Sequence, residues 1–77
     1  MPDIEKLIEK WKRNPTEERY QTIKIFLEHF GYQLVNVKGS HFHFKQKDKP
    51  FIAIIVHHKK VKKIYLKRML KILQIIP

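Results

Sequence analysis

Four histidines lie in the C-terminal half of the chain: His41, His43, His57 and His58. His41 and His43 are two residues apart in a segment where polar and apolar residues alternate, so their side chains should share one face of a β-strand. A histidine can take up or release a proton near neutral pH, and it can also ligate a metal ion. These residues therefore allow several kinds of chemistry, which the rest of the sequence must help to separate.

The first interpretation is acid–base cleavage of RNA. One group would take the proton of a 2′-hydroxyl as its oxygen attacks the adjacent phosphorus, and a second would protonate the departing 5′-oxygen. A histidine can fill either role, and Lys45 and the lysines after residue 58 would stabilise the negative charge of the transition state. This chemistry requires no metal ion.

Two other interpretations use the same side chains. His41, His43 and His57 could ligate a metal, but the sequence has no cysteine and the only carboxylate close by is that of Asp48, in a predicted turn. Alternatively, the histidines only occupy a solvated sheet face and help to bind phosphate. Their spacing by itself does not decide between catalysis and this simpler role.

The distribution of charge favours a polyanionic partner. The net charge is +10, and all of it lies in residues 38–77, because the charges of residues 1–37 cancel. Such asymmetry is typical of a nucleic-acid-binding half joined to a neutral scaffold half. A lysine-rich surface that only keeps the protein in solution is the alternative.

Length and composition limit the class of protein. A chain of 77 residues is expected to form a single domain, residues 1–77. The absence of cysteine excludes a disulfide framework and fits a reducing compartment. The N-terminus shows no signal-peptide pattern, and the longest apolar run, Phe51–Val56, is too short to cross a membrane. We therefore expect a soluble, cytoplasmic protein with no membrane association.

The N-terminal part of the chain predicts two helices. Apolar residues recur at helical spacing in the segment Ile4–Trp11, with Asp3 as the expected N-cap. Asn14-Pro15 is expected to end this helix and to begin the next, with Glu17 in the position of a capping-box acid. Gly31 is expected to end the second helix as its C′ residue.

The remainder predicts three strands and a last helix. The strands are expected at Tyr32–Val37, His41–Lys45 and Phe51–Val56, and the last is apolar on both faces, as in a central strand packed beneath helices. A basic loop, His57–Lys63, should then lead to a helix whose apolar stripe runs from Leu66 to Leu73. The predicted class is α+β in the order ααβββα, with a three-stranded antiparallel sheet and the helices on one face.

Several motifs together resemble the HicA family of toxin–antitoxin ribonucleases. The step Gly39-Ser40-His41 enters a strand that continues with aromatic residues, and an apolar strand ends at His57. The resemblance extends over nearly the whole chain, from Arg13-Asn14-Pro15 through Phe30-Gly31-Tyr32 to the Met69-Leu70 pair.

The resemblance implies a fold similar to double-stranded-RNA-binding domains and a metal-independent endoribonuclease that cleaves mRNA. It implies His41 as the catalytic residue, no cofactor, and inhibition by a HicB-type antitoxin. The residues expected to support His41 or bind RNA are Gly39, Ser40, His43, Lys45, His57, Lys59, Lys60 and Lys62.

The chain also departs from the family pattern. Phe42 follows His41 where many relatives have a second histidine, His58 stands where many have glycine, and Lys63-Ile64 replaces a proline before the last helix. The roles of His43, His57 and His58 are therefore open. A non-catalytic RNA-binding module of the same fold is the alternative function. In either case we expect a monomer when the chain is free and a hetero-oligomer with an antitoxin.

Overall fold

The structure, a computed structural model, describes residues 3–77. These residues form helices and strands in the following order: α1 (Ile4–Arg13), β1 (Glu18–Arg19), α2 (Tyr20–His29), β2 (Gln33–Lys38), β3 (His41–Lys45), β4 (Ile52–His57), β5 (Lys60–Val61) and α3 (Lys63–Ile72). The α+β class is confirmed, and the segment expected as the strand His41–Lys45 has those bounds.

The sheet is larger than the three strands expected. It has five antiparallel strands in the order β1-β5-β4-β3-β2. The predicted order ααβββα is wrong because the basic segment after β4 turns back as β5 and pairs with both β4 and β1. Strands of two residues are too short to show an alternating pattern in the sequence.

The second helix begins later than expected. Asn14, Pro15 and Glu17 do not cap it; α2 starts at Tyr20, and Arg19 is its N-cap without a side-chain cap hydrogen bond. The intervening chain is held instead by Glu18, whose carboxylate accepts from the Trp11 indole N–H at 3.2 Å.

Three other predicted helix ends are confirmed, and one of them is the end of α1, whose C-cap residue is Asn14. The Asp3 side chain accepts from the Lys6 backbone N–H at 3.2 Å, as an N-cap residue should. After α2, Gly31 has a φ of 91°, a left-handed conformation that suits glycine. The N–H groups of Gly31 and Tyr32 donate to the carbonyls of Glu28 and Leu27, which is the Schellman pattern of helix termination.

The core lies between the helices and one face of the sheet. Tyr20 of α2 packs on Phe42 of β3, and Trp11 of α1 meets Phe26 of α2 edge to face with 4.8 Å between centroids. The fully or almost fully buried side chains are those of Trp11, Ile23, Phe26, Leu27, Tyr32, Phe44, Ile52, Ile54, Val61, Leu66, Met69 and Leu70. Within residues 3–77, no helix has the length and apolar character needed to cross a bilayer.

The opposite face of the sheet is not covered by these helices. On β4, Ile52 and Ile54 are buried, whereas Ala53 and His57 are exposed and Ile55 is half-buried. This pattern agrees with the predicted arrangement, in which the helices lie on one face of the sheet. We call the uncovered side the open face.

Candidate functional site

A two-residue turn sets the position of His41. Lys38 pairs with His41 across the β2–β3 hairpin, so Gly39 and Ser40 are the turn residues. Gly39 has a φ of 60°, and a glycine at the first turn position is typical of a type II′ turn. The carbonyl of Ser40 accepts from the Val56 N–H at 2.8 Å, which ties the turn to β4. His41 therefore enters the sheet at a position fixed from two sides.

The register of β3 against β4 puts His41 on the open face. Phe42 pairs with Ile54 on the core side, and His41 pairs with Ile55 on the other side. His41 is exposed. The strand thus directs its aromatic residues into the core and the predicted catalytic side chain into solvent.

His57 is the nearest other histidine across the strands. It lies two residues beyond Ile55 on β4, so it shares the open face and is the diagonal neighbour of His41. Diagonal neighbours in an antiparallel pair are about 7–8 Å apart, which is within reach of long side chains. His57 is also exposed.

His43 has a different environment. It is half-buried, and its ring meets that of Phe51 edge to face at 5.1 Å between centroids. Phe51 is itself 50% exposed, so the two rings form an aromatic patch on the open face. Lys45, two residues further along β3, is exposed beyond this patch and away from His57.

Basic residues continue from His57 across the sheet. His57 pairs with Lys60 of β5, and Lys60 pairs with Arg19 of β1. Because Lys38 pairs with His41, one end of the open face carries a line of basic side chains that spans the sheet. We call this line the cationic row: Lys38, His41, His57, Lys60 and Arg19.

Lys38 was not among the residues expected at the site, and neither was Arg19. Arg19 lies in the neutral half of the sequence and reaches the row only because β1 pairs with β5. No spacing or motif in the sequence signals that pairing. The alternation of β3 could identify His41, and the basic segment His57–Lys63 could identify His57 and Lys60. Lys38 could be identified by its place directly before the predicted Gly39-Ser40 turn.

The remaining predicted residues, Lys59 and Lys62, lie on either side of β5. The turn between β4 and β5 consists of His58 and Lys59, with φ of 52° and 63°. Two positive φ values in a two-residue turn are typical of type I′, where Asn-Gly is preferred. Lys62 is exposed and directly precedes α3 as its N-cap residue.

The ligating side chains do not assemble a metal site. In the part of the chain that the structure describes, no group of three or more His, Cys, Asp or Glu side chains is arranged to hold a metal ion. His43 packs on Phe51, whereas His41 and His57 are exposed among basic residues. The arrangement suits a phosphate group better than a cation.

Comparison with known proteins identifies one family. The family model described as "HicA toxin of bacterial toxin-antitoxin" matches residues 20–75. The match covers α2 to α3 and leaves α1 and β1 outside it. No curated protein and no solved structure matches the chain.

Proposed function

The chain belongs to the HicA toxin family of bacterial toxin–antitoxin systems, and on that premise we propose that it is an endoribonuclease that cleaves mRNA with His41 as a general acid or base. The observation that carries the proposal is the diagonal relation of two exposed histidines, His41 and His57, within the cationic row. Members of this family are generally RNases. Which residues of this chain perform the reaction is our proposal.

The proposed reaction is an internal transesterification. The 2′-oxygen forms a bond to phosphorus, the bond from phosphorus to the 5′-oxygen breaks, and the products are a 2′,3′-cyclic phosphate and a 5′-hydroxyl end. One histidine accepts the proton of the 2′-hydroxyl, and the other donates a proton to the departing 5′-oxygen. His57 is the better second group, because His43 is half-buried against Phe51.

The neighbouring cations supply the electrostatic part of catalysis. Lys38 pairs with His41, and Lys60 pairs with His57, so a basic side chain flanks each histidine. Negative charge accumulates on the phosphate oxygens in the transition state, and fixed cations nearby stabilise it. Lysine and histidine side chains can perform all of these steps, so the proposed reaction is metal-independent.

A protein partner follows from the toxin role. A toxin–antitoxin system requires an antitoxin that restrains the toxin in its own cell, and we propose a HicB-type protein that covers the open face. An acidic surface would complement the cationic row. Cytoplasmic location, where mRNA is found, and a monomeric free state belong to the same proposal.

Two measurements test the enzyme directly. Purified wild-type chain should cleave RNA in the presence of EDTA, and its expression should arrest growth. His41→Ala should abolish both activities, and His57→Ala should reduce cleavage by about 10²-fold or more, the range of a lost proton-transfer group. Analysis of the product ends should show the 2′,3′-cyclic phosphate.

A matched variant controls for the loss of any histidine. His29 is exposed at the end of α2, outside the open face, so His29→Ala should leave cleavage unchanged. Cleavage by His41→Ala at the wild-type rate would contradict the assignment of that residue. RNA binding without cleavage by the wild-type chain would favour the alternative function, a non-catalytic RNA-binding module.

A further inference from the structure

A cavity of about 590 Å³ lies beyond the last strands of the cationic row. It is formed between the start of α2 and the β4–β5 turn, where the Tyr20 N–H donates to the Lys59 carbonyl at 2.9 Å. Its lining residues are Arg19, Tyr20, Gln21, His58, Lys59 and Lys60. Three of these six residues are lysine or arginine, so positive charge borders the cavity.

Most of this positive charge is not neutralised by the protein. Among the residues that the structure describes, neither Arg19 nor Lys59 forms an ion pair. Lys60 is 3.8 Å from a carboxylate oxygen of Glu17, and both side chains are more than half exposed. Such an exposed pair contributes little and gives way readily to a stronger anion. The cavity therefore presents cations to an anionic ligand.

The cavity is continuous with the proposed catalytic residues. Lys60 and Arg19 belong both to the cavity lining and to the cationic row. Strands in a sheet are about 4.8 Å apart, so β1 lies about 14 Å across the sheet from β3, which carries His41. That separation is suited to nucleotides that flank the one being cleaved.

We propose that this cavity is a phosphate subsite for single-stranded RNA, which crosses the sheet along the cationic row and places a flanking phosphodiester between Arg19, Lys59 and Lys60. The inference rests on the proposed function in that RNA is the substrate. Arginine and lysine donate charge-assisted hydrogen bonds to phosphate oxygens, which are stronger than those between neutral groups. The uncapped start of α2 adds a favourable dipole to these side chains.

The open face favours a single strand over a duplex. Proteins that bind single-stranded RNA commonly combine a basic track with exposed aromatic rings on which bases stack. Here the patch of Phe51 and His43 lies beside the cationic row on the same face. A base of the strand that follows the row can contact this patch, whereas the bases of a duplex are stacked within the helix.

The test measures binding of the full-length chain to uncleavable oligonucleotides. A fluorescent 2′-O-methyl series, lengthened one nucleotide at a time in each direction, should show a step in affinity when one end reaches the cavity. Arg19→Gln and Lys59→Gln should each remove that step and weaken binding of the longest oligonucleotide by about tenfold, as expected for a lost hydrogen bond to a charged group. Each should also reduce the slope of log affinity against log salt by about 0.7, the value per phosphate contact for single strands.

Lys67→Gln is the matched control, because Lys67 is exposed on α3 in the helical layer and its loss removes the same charge. Thermal unfolding of each variant separates lost binding from lost folding. An equal weakening by Lys67→Gln, or a length series without a step, would overturn the subsite. Tighter binding of a blunt duplex of the same sequence would overturn the single-stranded path. Because the oligonucleotides cannot be cleaved, these results do not depend on whether the chain is an RNase.

Discussion

The rings of Tyr20 and Phe42 pack against each other with 4.6 Å between their centroids. Phe42 lies between His41 and His43 on β3, so this contact anchors the strand from the core side while the histidines occupy the open face. The Tyr20 hydroxyl at the end of that ring is buried and, within the described chain, has no hydrogen-bond partner. Helix α2 thus positions the candidate site through the ring of Tyr20, whose hydroxyl is left without a hydrogen bond in the described chain.

We expect Tyr20→Phe to stabilise the fold. The substitution keeps the ring contact and removes a buried hydroxyl without a partner, whose burial costs about 1–3 kcal/mol. Tyr32→Phe is the matched control, because the Tyr32 hydroxyl donates to the Pro50 carbonyl at 2.8 Å and its removal should destabilise by about 1 kcal/mol. Urea denaturation of both variants at neutral pH measures the difference. If Tyr20→Phe destabilised as much as Tyr32→Phe, the hydroxyl of Tyr20 would be satisfied in solution.

The same two tyrosines predict a loss of stability in alkali. Burial raises the pKa of Tyr20 above its ordinary 10.0, with a further contribution from the charge of Glu28, and burial raises the pKa of Tyr32 as well. The unfolded chain therefore loses these protons first. The free energy of unfolding is unaffected by this titration well below pH 10.0, and it falls as pH rises from 10.0 towards the folded-state pKa values. Each Tyr→Phe variant should show a smaller decrease between pH 9 and pH 11, within roughly one unit of the ordinary value of a phenol. A decrease identical to that of the wild type would contradict this assignment.

Gly39→Ala should destabilise the β2–β3 turn through its backbone alone. Gly39 has a φ of 60°, and nothing lies within 4 Å of an added Cβ. The left-handed conformation costs alanine about 1–2 kcal/mol. Gly39→Asn should cost less, because asparagine, like glycine, is favoured at the positive-φ positions of type I′ and II′ turns. Equal losses in thermal unfolding for the two variants would show that positive φ is not the cause.

Glu17→Gln should tighten RNA binding. It removes the carboxylate beside Lys60 and leaves that ammonium group free for phosphate. Exposed ion pairs contribute about 0.2–1 kcal/mol, so we expect affinity to rise by about 1.4- to fivefold at low salt with little change in stability. Glu9→Gln removes an exposed acid on α1 and is the charge-matched control. Fluorescence anisotropy with one oligonucleotide compares them, and an equal gain for both would indicate a general charge effect.

The strand that carries His41 can be predicted from the sequence, whereas the short strands β1 and β5 at the edge of the sheet cannot. The alternation from His41 to Lys45 is strong because core packing requires the aromatic residues on one face. It therefore places His41 and His43 on the other face. Helix ends at Asp3 and Gly31 are predictable because their signals are local backbone hydrogen bonds and a positive φ. These features depend on short-range chemistry that the sequence displays directly.

The errors arise where distant segments decide the local structure. In the sequence, Glu18 falls where the first turn of a helix is expected. In the structure its carboxylate accepts a hydrogen bond from Trp11 of α1, and its backbone pairs with Val61 of β5. Arg19 reaches the cationic row for the same reason. Contacts between residues about forty positions apart leave no local periodicity, so the cavity could not be located from the sequence.

The turn at His58 and Lys59 has a consequence for protein engineering. Both residues occupy left-handed backbone conformations that glycine or asparagine would adopt at lower cost. Replacing them with Asn-Gly is the obvious stabilising redesign, and we expect it to raise the melting temperature. The same change would delete Lys59 from the cavity and so weaken RNA binding. A variant selected for thermal stability alone would therefore lose RNA affinity, so thermal stability and toxicity should be measured together.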